Sequence, residues 1–310
     1  MGPSLSLVVP AYNEASRIES GFSRLAPVLD QIGRDAVEVI VIDDGSSDQT
    51  GLVAATIYGQ LPHSLVIRRE FNAGKGAAFR LGVAAARSPH VILCDADMAI
   101  DPSHIPAVTR ALADSPLAIG SRTVGDKIHY TSRVRTSSGA IFNSIVRREI
   151  GTDVRDTQCG FKGFQLGAAR LLACFGWVDG FAFDAELLFL SSRLGLAVAT
   201  VPVTWDDVSG SSVNILSDSR KMLRDIRRIP RHSYEAVVVR IPGRADADAI
   251  RDVALSARLQ GLVIAHGPVD SIVVLPRDGA VAGVEIAATT KGAIGVATLG
   301  DVAGRDLEAL

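Results

Sequence analysis

The chain has 310 residues, room for one large α/β domain or for a large domain with a small companion. Its 32 Lys and Arg against 34 Asp and Glu give a net charge of -2, which argues against general nucleic-acid binding. Although 47% of residues are hydrophobic and the mean hydropathy is +0.26, no uninterrupted apolar run reaches the roughly 18 residues of a spanning helix.

Cys94, Cys159 and Cys174 are odd in number and lack C-x-x-C spacing, so neither a disulfide framework nor a zinc site is expected. The histidines are scattered. The start, MGPSLSLVVP, has no basic segment ahead of its apolar residues, so the expected compartment is the cytoplasm.

In chain order, a β-type run over 5–9 ends at Pro10, passes through Ala11 Tyr12 Asn13 Glu14, and gives way to a helical pattern over 18–29. A second strand over 37–42 breaks into Asp43 Asp44 Gly45 Ser46 Ser47 Asp48 before a helix from 50 to about 58. Asp48 reads as a helix cap, whereas Asp43 and Asp44 stand at the carboxyl end of a strand, where open α/β sheets bind ligands. A third strand over 65–69 leads through Asn72 Ala73 Gly74 Lys75 Gly76 into a helix reaching 86. Glycines permit close backbone approach, a helix start offers N–H groups, and Lys75 adds charge, which together suit an anion; a plain glycine turn is the alternative.

The apolar run over 91–94 then ends in Asp95 Ala96 Asp97. On an extended chain both carboxylates point to one side, where they can face one hard cation and through it a diphosphate; a solvated loop is the alternative. Strands alternating with helices over this stretch predict a doubly wound, mostly parallel sheet.

After a helix over 105–113 and a strand over 117–121, Arg122 opens a basic segment with Lys127, Arg133 and Arg135, fit to receive a second anion or to stand as a surface loop. Residues 156–162, DTQCGFK, match no regular amphipathic element. The stretch 177–190 starts an apolar helix with Asp184 and Glu186 beside aromatic residues, and a strand over 198–203 runs into Trp205 Asp206 Asp207. A helix over 215–229 sets Ile215, Leu216, Met222, Leu223, Ile226 and Ile229 against Arg220, Lys221, Arg224, Arg227 and Arg228. Such a helix suits an anionic membrane surface; packing of its apolar side on its own domain is the alternative.

Composition changes near Pro230, and no aromatic residue follows Ala236. Strand-like runs over 237–241, 262–265, 271–275, 281–287 and 293–299, with a helical segment over 247–259, predict a small α+β module at 236–310 beside a domain at 1–230. The module carries no motif to which chemistry can be assigned.

The stretches VVPAYNEASRI, VIDDGSSDQT and CDADMAID, together with NAGKGAAFRLG, GSR at 120–122, DTQCGFKGF, FAFDAELLFL and VPVTWDDVSGS in that order, resemble the inverting GT-A-fold glycosyltransferases of family 2. Within that family the likeness is to polyprenyl-phosphate (dolichyl-phosphate) β-glucosyltransferases, over roughly residues 5–230. It implies a Rossmann-like, mostly parallel sheet with helices on both faces. It also implies a UDP-sugar donor held by Pro10, Ala11, Tyr12, Glu14, Asp43, Asp44, Lys75, Asp95 and Ala96, and Mg2+ or Mn2+ on Asp95 and Asp97. Asp97, Asp184 and Arg122 would be the catalytic set, Arg122, Arg133 and Arg135 would grip phosphates, and Gln158 and Lys162 would contact sugar or phosphate.

A polyprenyl phosphate, with a second pKa of about 6, is largely ionised near neutral pH, so Asp184 would orient the acceptor or act as a weak base. Direct attack would invert the anomeric carbon and give a β-linked product. The membrane anchors of some relatives have no counterpart here, so peripheral contact with the cytoplasmic membrane face would rest on the basic helix, a membrane-protein partner or the terminal module. A catalytically silent sugar-nucleotide-binding module and a family 2 transferase with a non-lipid acceptor are the other readings. Processive polysaccharide synthesis is not expected, since Q-x-x-R-W is missing.

Overall fold

The computed structural model describes residues 2–122, 133–206, 215–242, 246, 249–250, 263–266, 270–276 and 293–298. Its first half alternates as the periodicity predicts: β1 (Leu5–Ala11), α1 (Ile18–Ile32), β2 (Val37–Asp43), α2 (Thr50–Tyr58), β3 (Ser64–Arg68), α3 (Lys75–Ala85), β4 (His90–Leu93), α4 (Ile105–Ala111) and β5 (Leu117–Ser121). Leu7, Val8 and Val9 of β1 and Val39, Ile40, Val41 and Ile42 of β2 are fully buried. Unbroken apolar runs of this kind belong to strands covered on both faces, as parallel strands flanked by helices are.

The second half holds α5 (Arg133–Ile150), β6 (Lys162–Gln165), α6 (Leu166–Phe175), α7 (Phe183–Arg193), β7 (Val198–Pro202) and α8 (Ile215–Arg228). The main sheet has the order β3-β2-β1-β4-β6-β5-β7, parallel except for β6, which runs antiparallel between β4 and β5. Three of these elements differ from expectation. Residues 133–150 form a helix rather than a basic loop, β6 lies where no regular element was anticipated, and α6 follows it directly. Of DTQCGFK only Lys162 enters β6, residues 156–161 forming no helix or strand, and Lys162, Gly163 and Phe164 are buried on both faces of the sheet.

A second sheet consists of β8 (Glu235–Pro242), β9 (Val263–His266), β10 (Asp270–Pro276) and β11 (Ala293–Thr298), antiparallel in the order β11-β8-β10-β9. The strand expected over 281–287 and most of the helix expected over 247–259 lie outside the described residues. Val274 of β10 joins the apolar cluster of the main sheet beside α6, where the Cys174 thiol donates to the Val274 carbonyl at 3.5 Å.

Candidate active site

The carboxyl ends of β1, β2 and β4 converge, and side chains stitch their loops together. Asn13 N donates to Ser46 Oγ at 3.0 Å, Ser47 N to Asn13 Oδ1 at 2.9 Å, and Glu14 N to Thr50 Oγ1 at 2.7 Å. Asn13 adopts a positive φ of 54°, a conformation that asparagine tolerates better than most residues. The N-cap position of α2 is Gln49 rather than the expected Asp48, which stands one residue earlier and whose Oδ1 accepts from Thr50 N at 2.9 Å.

Of the expected donor-site residues, Pro10 and Ala11 close β1, Tyr12 is 40% exposed, and Ala96 is buried in the acidic turn. Asp43 is fully buried and Oδ1 accepts from Ser46 N at 3.0 Å. Asp44 accepts from Ala73 N at 3.2 Å and Gly74 N at 2.6 Å, with Arg69 Nε at 3.3 Å. Both carboxylates therefore hold loops in this structure, and neither is presented to solvent. Among the described residues, Glu14 Oε2 and Asp43 Oδ2 are buried acceptors without a hydrogen-bond partner.

The glycine segment before α3 departs from the expectation of a free N-terminus. The Asp179 carbonyl accepts from Gly76 N at 2.7 Å and Ala77 N at 3.4 Å, so these amides are already used inside the protein. Gly74, at φ 112°, allows that approach, since a Cβ there would collide with the Asp179 carbonyl. What α3 presents is Lys75, whose ammonium pairs with Asp95 Oδ1.

The acidic turn differs in geometry from an extended D-x-D. Cys94 N still donates to Val8 O at 3.0 Å, continuing the β1 ladder, but Met98 N donates to Asp95 O at 3.0 Å and Met98 takes a φ of 48°. A turn, rather than strand alternation, therefore brings Asp95 and Asp97 together. Asp97 Oδ1 accepts from Ala99 N at 3.1 Å, and Arg17 Nη1 reaches Oδ2 at 3.2 Å while Arg17 Nη2 pairs with Glu14 at 2.5 Å. Behind the turn, Asp206 N donates to Ala99 O at 2.8 Å, so the segment after β7 braces it.

Charges respond to this crowding. Desolvation and the neighbouring Asp95 push the Asp97 carboxyl above its ordinary range. Desolvation works against ionised Asp95 too, but Lys75 outweighs it and holds Asp95 low. Lys75 in turn keeps its proton more tightly than usual: desolvation opposes its charge, and Asp95, Asp184 and Asp97 more than offset that. Glu14 is pushed up to about 7, chiefly by burial, with Arg17 opposing and Asp97 and Asp95 adding to the rise.

On the far side, Arg122 binds Asp156 through two parallel bonds of 2.8 Å, which, despite desolvation, holds the Asp156 carboxyl low. Lys162, expected to contact sugar or phosphate, is instead fully buried: its ammonium pairs with Asp184 Oδ1 at 2.5 Å and bonds the Cys159 carbonyl. Its charge reaches Asp95 through space, as does that of Arg122. Gln158 is half-buried, with Nε2 3.4 Å from Thr157 O. Arg133 and Arg135 lie in the first turns of α5, their side chains outside the described residues; Lys127 is outside them altogether.

The donors at the turn fit a divalent cation. Two adjacent carboxylates repel each other, each has drawn in a cationic side chain, and a Cβ on Gly160 would collide with Asp95 Oδ2. Among the described residues no group of three His, Cys, Asp or Glu side chains could hold a metal, so Asp95 and Asp97 would supply the protein's share of the ligands. Arg17 and Asp156 are participants to which the sequence reading assigned no role. A signal for Arg17 exists: a cation just ahead of a helix start opposes the helix dipole and asks for a tertiary carboxylate.

The family described as Glycosyl transferase family 2 matches residues 6–171. A dolichyl-phosphate beta-glucosyltransferase of Drosophila melanogaster is 35% identical over 237 residues, 72% of this chain and 73% of that protein. The enzyme of the same name from Dictyostelium discoideum is 31% identical over 239 residues, 73% of each. Among solved structures, glucosyl-3-phosphoglycerate synthase from Mycobacterium tuberculosis in complex with uridine diphosphate aligns with a TM-score of 0.56 and 26% identity, over 74% of this chain and 80% of that one. The same protein with Mn2+, UDP-glucose and phosphoglyceric acid gives 0.56 and 25% over the same shares.

Proposed function

The chain belongs to glycosyl transferase family 2, and from that premise we propose that it moves glucose from UDP-glucose to the phosphate of a polyprenyl phosphate, inverting the anomeric carbon, at the cytoplasmic face of a membrane. The observation that carries the reading is the acidic turn, where Asp95 and Asp97 meet Lys75 and Arg17 in a chain 35% identical to a dolichyl-phosphate beta-glucosyltransferase. Mg2+ or Mn2+ held by Asp95 and Asp97 would act as a Lewis acid on the donor diphosphate. Lys75 can turn from Asp95 toward phosphate oxygens, and Asp156 holds the Arg122 guanidinium in a fixed plane on the other side of the site. Arg133 and Arg135 remain candidates for acceptor phosphate.

An acceptor phosphate with a second pKa of about 6 carries its own nucleophilic charge near neutral pH, so no strong base is required. Asp184, tied to buried Lys162, suits fixing the acceptor's approach better than taking its proton. The site also supports a second reading, transfer to a small phosphorylated acid, favoured by the likeness to the synthase bound to UDP-glucose and phosphoglyceric acid.

Purified protein incubated with UDP-glucose, UDP-N-acetylglucosamine and GDP-mannose, each against polyprenyl phosphate and phosphoglyceric acid, tests both readings. Expected is a β-glucosyl lipid phosphate from UDP-glucose, lost with a chelator and in Asp97→Ala. Faster glucosylation of phosphoglyceric acid would overturn the lipid acceptor, and full turnover in excess chelator would overturn the metal.

A further inference from the structure

Glu186 stands apart from the acidic turn, yet its carboxylate is 2% exposed and densely engaged. Oε2 accepts from Val178 N at 3.0 Å and Trp177 N at 3.2 Å, Oε1 accepts from Trp177 N at 3.1 Å, and the Tyr234 hydroxyl bonds the same group. The next residue of the segment so held is Asp179, whose carbonyl receives Gly76 N and Ala77 N at the start of α3. Arg80, one turn along α3, grips the segment from the other side, with Nη1 on Val178 O at 3.0 Å and Nη2 on the Asp179 carboxylate. The first residue of that helix is Lys75.

Tyr234 extends the chain of contacts outward. Its hydroxyl also accepts from Trp177 Nε1 at 3.3 Å, the indole lies 4.6 Å from the His232 ring and 5.2 Å from the Arg228 guanidinium, and β8 of the second sheet begins one residue later.

We propose that Glu186 is a positioning residue for the sugar-nucleotide donor: it fixes residues 177–179, which seat the start of α3 and so set where Lys75 meets the donor diphosphate. The same carboxylate ties that seat to the junction leading into the second sheet. The inference rests on the donor reading above for the role of Lys75, but the seat itself can be read without any donor. Removing the carboxylate leaves the Trp177 and Val178 amides buried without an acceptor, a loss that the segment relieves by moving. An amide oxygen in its place can take both N–H groups, as Oε2 does.

The test compares Glu186→Ala, Glu186→Gln and Tyr234→Phe with the parent full-length protein in two measurements: hydrogen exchange at the Gly76 and Ala77 amides, and steady-state KM and kcat with UDP-glucose and polyprenyl phosphate. Glu186→Ala is expected to speed exchange at both amides about tenfold and to raise the UDP-glucose KM roughly 10- to 100-fold, leaving the acceptor KM within about twofold. Glu186→Gln should recover most of both effects, and Tyr234→Phe should fall between Gln and the parent. Unchanged exchange at Gly76 and Ala77 in a folded Glu186→Ala protein overturns the inference. So does an equal rise in both KM values, or a Gln variant as impaired as Ala. If Glu186→Ala does not fold, Tyr234→Phe and Glu186→Gln read the same two amides, and parent-like exchange and KM in Tyr234→Phe overturn the link to the junction. A parent that binds no UDP-glucose overturns the donor reading instead, and the exchange rates then decide the seat alone.

Discussion

Lys162 is fully buried, with the Asp184 carboxylate 2.5 Å from its ammonium. Asp184→Ala should therefore destabilise the fold by roughly 3–5 kcal/mol, because it strands a buried ammonium, and lost turnover in that variant would partly report unfolding. Combining Lys162→Met with Asp184→Leu should restore most of the stability in urea titrations without restoring turnover, which separates the two effects. Glu186 yields a prediction of opposite character. Burial raises it to about 7 from an ordinary 4.5, the Val178 and Trp177 amides opposing. A raised carboxyl favours the folded state fully below 4.5, and that contribution is lost as pH climbs through 7; it amounts to about 3 kcal/mol at most. Unfolding free energy should thus decline from about pH 5 to about pH 8, and Glu186→Gln should flatten part of the decline, Glu14 supplying more of the same sign. A slope identical in parent and variant would contradict the assignment. At this scale the sequence announces residue types better than partners: Asp95, Asp97 and Lys75 are legible as a group because each adjoins a strand or helix end, whereas the Glu186 contact with the Trp177 and Val178 amides depends on a turn that no spacing reveals.

Among the elements, α8 shows how an amphipathic pattern can fit two outcomes at once. Ile226 and Ile229 are fully buried and Met222 packs on the core, so the apolar side faces the protein, while Arg220, Lys221, Arg224, Arg227 and Arg228 remain exposed; the Ile215 and Leu216 side chains lie outside the described residues. Ile226, Ile229 and Met222 so placed cannot enter a bilayer, and the attraction expected of the exposed cations is electrostatic. Each cation near an anionic surface contributes on the order of 1 kcal/mol, within a Debye length of about 8 Å. Sedimentation with anionic vesicles should show binding that salt weakens and that Arg220→Gln, Arg224→Gln and Arg227→Gln together abolish; Arg228 is left intact because it stacks on Trp177. Salt-insensitive binding that survives these changes would locate the anchor elsewhere. The same element scale explains what the sequence hides. Strands β1, β2 and β5 carry short apolar runs bounded by turn formers and are easily read. By contrast β6 has four residues, one a lysine neutralised from another helix, and α5 opens on Arg133, Arg135 and paired serines, so neither shows the period of its class.

For the whole molecule, the question is whether the second sheet is an appendage or part of one folding unit. The connection is short: residues 229–234, opening with a 3-10 turn at Ile229–Arg231, separate α8 from β8, and Tyr234 at their end belongs to the main apolar cluster. Alternation along β10 splits its side chains, with Val274 entering the cluster around α6 while Val273 and Leu275, also fully buried, point to the opposite face of their own sheet. One strand thus contributes to two cores, and loosening either must disturb the other. Calorimetry of the full chain should accordingly show a single cooperative transition. Val274→Asp places a carboxylate among apolar side chains with no cation to meet it, which costs several kcal/mol and falls on the shared layer alone. It should lower the midpoint and split the trace in two, the second sheet melting first because the main sheet keeps its remaining buried strands. Two resolved transitions already in the parent would mean that the contact between β10 and α6 adds little, and that the second sheet folds as a unit of its own.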